Sequence, residues 1–451
     1  MAIQYTPVSA IPKIVANMKR SFLTHRTQSL EFRKEQRKAS SAIFLSVRAL
    51  LRAVNENEDA MVEAIRTDLN RHKDNEIPTI KKAIQGFIDN LEDLTKQTNV
   101  AGFHEKDECS IRLSPLGTVL IIGAWNFPMM LNIEPMAGAI AAGNNVVLKP
   151  SEVSAHSAQL LTQMIERYMD PQVVQVVNGA VEETSALLKE RFDHIFYTGG
   201  TEVGRIVMVA AAKNLTPVTL ELGGKCPVIV TEHTDIAKAA QAIAGIKTLN
   251  CGQVCLTVDY VLCPKHLRES LIQGCIATWK HMFTEDAGSC ATYPKIINAR
   301  QHARLEKLLA TVKQQNTVVF GGRSDASQRF IEPTIVTGVT LKDEIMQDEI
   351  FGPILPIVDC DNLQDAIDII NQNEHPLALY VFSDDKAEIE KVIRETRSGG
   401  VTVNQIATHC YNHNLPFGGV GNSGIGNYHG KFSIDTFSHK RAVMIRSQAH
   451  L

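Results

Sequence analysis

The sequence predicts an α/β protein whose first sheet is parallel and covered on both faces. Two observations carry this. Strand-length apolar runs begin at Gly117, and they alternate with helical stretches as far as Leu220. Such alternation indicates parallel strands joined by helical crossovers. A second alternating region follows Cys255.

The elements follow in order. The first hundred residues read as scaffold helices. Ile11, Ile14, Val15 and Met18 keep a helical period, as do Ile43, Val47, Leu50, Leu51 and Val54, with Lys13, Arg20, Arg48 and Arg52 on the other faces. Thr118–Ile122 is then a strand closed by Gly123, followed by an apolar helix near 133–142. Next come a strand over 145–148, a helix near 154–168, a strand over 173–177 and a helix near 182–190. A strand over 194–197, a helix over 203–212 and the strand 218–220 close the series. Sheets of this kind bind ligands at the carboxyl ends of their strands. In the second region the clearest strands are 260–263, 317–320 and 379–382. The glycine-rich stretch from Gly418 to Gly430 reads as tight turns rather than a regular element.

Composition narrows the function classes. The chain has 451 residues, 44% hydrophobic and 21% charged, which is ordinary for a globular protein of two or three domains. A net charge of −3 gives no basic bias toward nucleic acid or anionic membrane. Nine cysteines are too sparse for a disulfide scaffold. No second Cys/His pair with zinc spacing accompanies Cys251 and Cys255, so no metal is expected. Neither a signal peptide nor a membrane-spanning apolar run is visible, and the closing residues 444–451 are too short and polar for an anchor. The expectation is a cytosolic, reduced protein.

The chemistry centres on Asn250-Cys251-Gly252-Gln253-Val254-Cys255. A thiol attacks a carbonyl as thiolate, and an ordinary cysteine is only a few per cent ionised at neutral pH. A carboxylate that takes a proton or activates water is its natural partner. Glu221, before Gly223-Gly224, offers one. Taken alone, Cys255 could be a buried apolar cysteine, Glu221 a solvated strand-end carboxylate, and Asn126 the cap of the next helix.

Five further motifs stand in a telling order: Gly123-Ala124-Trp125-Asn126-Phe127-Pro128, Leu148-Lys149-Pro150-Ser151-Glu152, Tyr197-Thr198-Gly199-Gly200, Glu221-Leu222-Gly223-Gly224-Lys225 and Glu349-Ile350-Phe351-Gly352-Pro353. With the cysteine segment they resemble the aldehyde dehydrogenase superfamily over nearly the whole chain. The stretch from Leu415 to Gly424 resembles its class 3 branch. The resemblance implies a Rossmann-like cofactor domain over 1–99 and 117–222, a catalytic domain over 223–406, and a bridging or oligomerisation segment over 100–116 and 407–451. It makes Cys255 the nucleophile and Glu221 the base that activates water. Asn126 becomes an oxyanion donor beside the Cys255 amide. Lys149 and Glu152 would meet the adenosine ribose, and Gly199 and Gly204 would belong to a nucleotide loop. Glu349 would hold the nicotinamide ribose, and Phe351 would pack beside the nicotinamide. The implied reaction oxidises a medium-chain aliphatic or aromatic aldehyde, with NAD preferred, NADP tolerated and a homodimer as the assembly. Two other readings stay open: coenzyme A as acyl acceptor in place of water, and a catalytically idle structural homologue.

Overall fold

The computed structural model describes residues 3–24, 42–72, 76–102, 107–284 and 286–446. Ser447 to Leu451, part of the closing stretch considered above, lie outside them.

Among the described residues, four helices precede the sheets: α1 (Ile11–Leu23), α2 (Ala42–Glu56), α3 (Glu58–Leu69) and α4 (Glu76–Thr95). Each buries an apolar stripe, for example Ile11, Val15 and Met18 on α1. Asn70 ends α3 in the left-handed region, where asparagine is tolerated. Two strands follow, β1 (Thr98–Val100) and β2 (Glu108–Pro115).

The first large sheet is built from β3 (Thr118–Ile122), β4 (Asn145–Lys149), β5 (Val174–Val176), β6 (His194–Thr198) and β7 (Val218–Glu221). They are linked by α5 (Met130–Ala141), α6 (Ala155–Tyr168), α7 (Val181–Leu187) and α8 (Thr201–Ala212). All five strands run parallel, in the order β7-β6-β3-β4-β5. Both faces are covered. Val119, Ile121, Val146 and Leu148 enter one core, and Leu120, Ile122, Val147 and Leu220 enter another beneath α1 and α8. The chain runs outward from β3 to β5, then crosses back to β6. The strand order therefore reverses between β3 and β6, which opens a crevice at their carboxyl ends.

A second sheet holds β8 (Pro227–Val230), β9 (Tyr260–Pro264), β10 (Thr317–Phe320), β13 (Thr334–Thr337), β14 (Ile354–Cys360), β15 (Ala378–Phe382) and β16 (Gly400–Val403). The short pair β11 (Ser324–Asp325) and β12 (Phe330–Ile331) stands apart from it. The order is β10-β13-β14-β9-β8-β15-β16, parallel except where β10 meets β13. Its helices are α9 (Ile236–Thr248), α10 (Lys265–Met282), α11 (Ala299–Gln315), α12 (Leu363–Gln372) and α13 (Lys386–Glu395). Asp235, Asn298, Asn362 and Asp385 cap α9, α11, α12 and α13 with side-chain oxygens. The chain ends through β17 (Gly424–Ile425), α14 (Gly430–Thr436) and β18 (Ser438–Ile445), which pairs with β2.

The structure differs from the sequence reading in several element bounds and, near the site, in three respects. The second sheet begins at β8, ahead of Cys255 rather than after it. The glycine-rich stretch is not wholly irregular, since β17 pairs antiparallel with β7, Gly424 opposite Glu221. Helix α5 starts three residues earlier than expected. Its first turn is capped from a distance: Glu76 accepts the backbone N–H of Met129 at 3.0 Å and of Met130 at 2.8 Å. The same carboxylate pairs with buried Arg71, whose guanidinium also donates to the Asn126 carbonyl at 3.0 Å. Glu76→Ala is expected to lower unfolding stability by about 3–5 kcal/mol, because it strips a buried cation of its carboxylate and uncaps α5. Urea titration of the variant measures this, and a change below about 1 kcal/mol would contradict the role.

Candidate active site

The carboxyl edge of the first sheet faces the amino edge of the second. Ile122 is level with Lys149 and Tyr197, and Thr198 is level with Glu221, so the segments carrying Asn126, Lys149, Gly199 and Glu221 leave one edge together. From Glu221 the chain crosses directly through Leu222-Gly223-Gly224-Lys225-Cys226 into β8. The cysteine loop runs between α9 and the start of β9, so it meets this junction from the other side.

The loop backbone is unusual. Asn250, Cys251 and Gly252 have φ of 50°, 57° and 72°, three successive residues in the left-handed region. For the two non-glycine residues this costs about 1–2 kcal/mol each. A side chain at Gly252 would approach the Gly352 carbonyl to 2.3 Å, so only glycine fits. Hydrogen bonds hold the shape. Asn126 Nδ2 donates to the Gln253 carbonyl at 3.1 Å, and Asn250 Nδ2 donates to the Asn126 carbonyl at 2.9 Å. The Gln253 amide donates to the Asn250 and Lys295 carbonyls and accepts from Ile297 N–H. Asn126 therefore does not cap α5 with its side chain. Its amide is aimed at the cysteine loop.

Cys255 is partly buried, and its carbonyl accepts from the Cys226 thiol at 3.4 Å. Burial pushes its thiol well above the ordinary range, and the carboxylates of Glu349 and Glu221 push the same way. Cys251 is different. Its sulfur faces the Tyr293 hydroxyl at 3.6 Å in full burial, which raises its pKa to about 12.

Glu221 ends β7 with a buried side chain, and neither carboxyl oxygen has a hydrogen-bond partner among the described residues. Burial raises its pKa well above the carboxyl range. A carboxyl in so dry a site favours its neutral form. Glu349 is pushed to about 8, first by burial and then by Asp259. It lies against Gly223, where a Cβ would come within 2.0 Å of its oxygen. Phe351, at φ 49°, meets Trp125 edge to face at 5.5 Å, so it stands beside the Asn126 segment.

Lys149 and Glu152 lie at the end of β4 and pair at 2.8 Å. The sequence shows two opposed charges; the structure shows them joined. Gly204 lets α8 pack on Leu222, whose methyl would sit 2.7 Å from a Cβ there. Gly199 donates its N–H to the Glu221 carbonyl at 3.0 Å, and Gly200 has open space where a Cβ would stand.

Sequence reasoning missed the supports. Lys225 pairs with Asp259 at 2.5 Å and donates to the Ile345 and Asp348 carbonyls, while Asp259 accepts Ile350 N–H. This staple holds the segment that carries Glu349. Lys225 was visible in its motif, but nothing in the sequence marks Asp259. Fully buried Lys247 donates to the Val258 carbonyl at 2.8 Å beneath the cysteine loop.

This fold and this junction are those of an oxidoreductase family. Residues 9–443 match the aldehyde dehydrogenase family. The chain is 45% identical over 446 residues to rat "Aldehyde dehydrogenase, dimeric NADP-preferring", covering 98% of this chain and 95% of that one. It is 44% identical to "Aldehyde dehydrogenase family 3 member A2" of Pongo abelii, covering 96% and 88%. Among solved structures, the substrate-bound state of Staphylococcus aureus AldH aligns with a TM-score of 0.91 at 39% identity, covering 97% and 94%. The chain belongs to the aldehyde dehydrogenase family and resembles its class 3 members.

The raised Glu349 carboxyl has a consequence for stability. Between the ordinary carboxyl range and about 8 the folded protein keeps a proton that the unfolded chain releases. Stability from this group therefore falls as pH rises through that window. Glu349→Gln is expected to gain in thermal midpoint relative to wild type from about pH 5 to about pH 8. Parallel profiles, measured without cofactor, would show that Glu349 does not hold the proton.

Proposed function

We propose that the protein oxidises medium-chain aliphatic or aromatic aldehydes to carboxylic acids through a thioester on Cys255, using NAD by preference and NADP as a tolerated alternative. The observation that carries this is the junction itself. A partly buried thiol, a buried carboxyl without partners and an asparagine amide converge from two sheets on one place.

The residues suit a dinucleotide. Glu349 keeps a buried oxygen without a partner among the described residues, and Gly200 leaves open space before α8. Lys149 and Glu152 would hold the adenosine ribose, Gly199 would shape the nucleotide loop and Gly204 seat the helix behind it, Glu349 would hold the nicotinamide ribose, and Phe351 would pack beside the nicotinamide. When bound there, an oxidised nicotinamide would supply the hydride acceptor and a positive charge favouring the Cys255 thiolate.

The protein's own part is as follows. Cys255 gives its proton to a water molecule entering the site, and its sulfur bonds to the aldehyde carbon. The resulting oxyanion is held by the Asn126 amide and the Cys255 N–H. Loss of hydride from that carbon leaves a thioester. Glu221 takes a proton from water, whose oxygen attacks the thioester carbon. The carbon–sulfur bond then breaks, releasing the acid and restoring the thiolate. Burial that raises the Glu221 pKa makes its carboxylate, once ionised, a stronger base toward that water.

The division into a cofactor domain, a catalytic domain and a bridging segment belongs to the same reading. So does a homodimer, which the relative named as dimeric supports. Helix α8 also presents Ile206 and Val209 at 61% and 66% exposure, an apolar face suited to a partner. A cytosolic location completes it, on composition alone. No helix of the described residues is long and apolar enough to cross a membrane.

The reading is tested by steady-state NADH production from an aldehyde panel. Cys255→Ala is expected to abolish it, and Cys251→Ser to keep most of it, since Cys251 faces Tyr293 instead. Appreciable turnover by Cys255→Ala would overturn the assignment. Glu221→Gln is expected to give a burst of about one NADH per site and then little more, because only water attack is lost. An unchanged steady rate would remove Glu221 from the mechanism; loss of the burst would make it the acceptor of the thiol proton as well.

Cofactor choice turns on Glu152. Its carboxylate accepts from ribose hydroxyls and repels a 2′-phosphate. Glu152→Gln removes the negative charge and frees Lys149. It is expected to shift kcat/KM toward NADP by roughly tenfold, about 1.4 kcal/mol. A ratio that does not move would place the adenosine ribose elsewhere.

A further inference from the structure

Three side chains that the proposed reaction does not use meet on one side of the junction. Glu134 lies on α5, His413 follows the turn 408–411, and His429 immediately precedes α14. One ligand atom from each lies within 4.8 Å of the others. The carboxylate oxygens of Glu134 stand 3.4 Å from His429 Nε2 and 3.9 Å from His413 Nε2. Glu134 and His429 are more than nine-tenths buried. Glu134 Oε1, His413 Nε2 and His429 Nδ1 have no hydrogen-bond partner among the described residues. Buried polar atoms are rarely left so, and two of these, Glu134 Oε1 and His413 Nε2, stand 3.9 Å apart and call for a ligand between them.

The backbone around them is built for the arrangement. His429 has φ 83°, a region that side chains other than glycine seldom adopt and that costs of order 1–3 kcal/mol. Phe417 stacks on its ring at 5.1 Å and 14°, and the His413 ring lies 4.7 Å from it. The neighbouring Gly430 would drive a Cβ to 2.4 Å from the His413 carbonyl, so the two histidine segments approach as closely as their backbones permit.

We propose that Glu134, His413 and His429 form a binding site for a divalent transition metal of the zinc class. A tetrahedral ion with bonds of about 2.1 Å sets its ligand atoms about 3.4 Å apart. The 3.4 Å between Glu134 Oε2 and His429 Nε2 matches this, and the remaining separations, none above 4.8 Å, close by rotation of the His413 side chain. Two imidazoles with one carboxylate suit zinc, cobalt or nickel and not magnesium or calcium, which take oxygen ligands. Three protein ligands leave a fourth position for water. The expectation of no metal rested on cysteine spacing, and these ligands come from residues too far apart in sequence to show any. The bound ion would fasten the C-terminal segment to α5, beside Tyr428, which lies within electrostatic reach of Glu134, Glu221 and Cys255.

The test uses Co2+ as a spectroscopic probe and Zn2+ as the stabilising ion. Thiols also bind these metals, so wild type and Cys255→Ala are stripped with chelator and titrated in parallel. Both are expected to take up one Co2+ with visible bands of tetrahedral type and no thiolate charge-transfer band. Zn2+ should raise the thermal midpoint of both by mass action. In His413→Ala and Glu134→Gln, Co2+ affinity should fall by about a hundredfold or more, and the Zn2+ shift should vanish. His413 is only partly buried, so its variant serves if Glu134→Gln does not fold. The proposal is overturned if uptake survives both substitutions, if it disappears in Cys255→Ala, or if a thiolate band appears. Failure of the Cys255→Ala protein to bind Co2+ below about 10 µM overturns it as well.

Discussion

The site depends on one buried amide knot. Asn126, Asn250 and Gln253 tie the loop after β3 to the loop before β9. Without it, three successive left-handed residues would relax, since the cysteine loop has no regular structure of its own to hold them. The knot does two things at once. It fixes the Asn126 amide against the loop that carries Cys255, and it satisfies polar groups that burial would otherwise leave unpaired. Arg71 and Glu76 extend it, because the same guanidinium that meets Glu76 also holds the Asn126 carbonyl. A strained loop and a fixed donor are thus two results of a single network.

Electrostatics at the junction follow from dryness. Glu221 and Glu349 approach Cys255 where little water reaches; burial disfavours ionisation of all three, and the two carboxylates push the thiol further the same way. In such a place a proton has few acceptors, so its position is set by small changes in charge. Lys225 does not cancel this, because it is committed to Asp259 and to two backbone carbonyls. Its charge instead anchors the segment that delivers Glu349. The arrangement separates positioning from titration: paired charges hold the frame, and two carboxyls outside any ion pair act on the thiol.

Much of this was legible in the sequence. The five strands of the first sheet showed themselves because β3 and β4 are buried on both faces and read as unbroken apolar runs. Cys255, Glu221 and Asn126 stood out by motif, and the structure brings their segments together. What the sequence could not show depends on distant partners. The start of α5 is set by Glu76, more than fifty residues earlier. The short strand β17 exists only because β7 offers it an edge. Asp259, Lys247 and the Glu134–His413–His429 group have no local pattern at all, since their meaning arises from chain crossings. Lys149 and Glu152 illustrate the limit at close range: adjacent opposite charges were evident, but their pairing is a matter of side-chain direction.

The C-terminal segment completes the site. Strand β7 would otherwise be the open edge of the first sheet, with unpaired backbone groups beside the very residue that must stay dry. Gly424 pairs with Glu221 there, and Leu222 donates to the Ser423 carbonyl at 3.1 Å. Gly419 and Gly424 have no room for side chains at this approach, which explains why the stretch is rich in glycine. On the other side, Gly199 donates to the Glu221 carbonyl, so the carboxyl is carried by a strand end held from both flanks. The burial that raises its pKa is therefore a property of the closed edge as much as of β7 itself. A residue some two hundred positions later in the chain sets the environment in which Glu221 titrates.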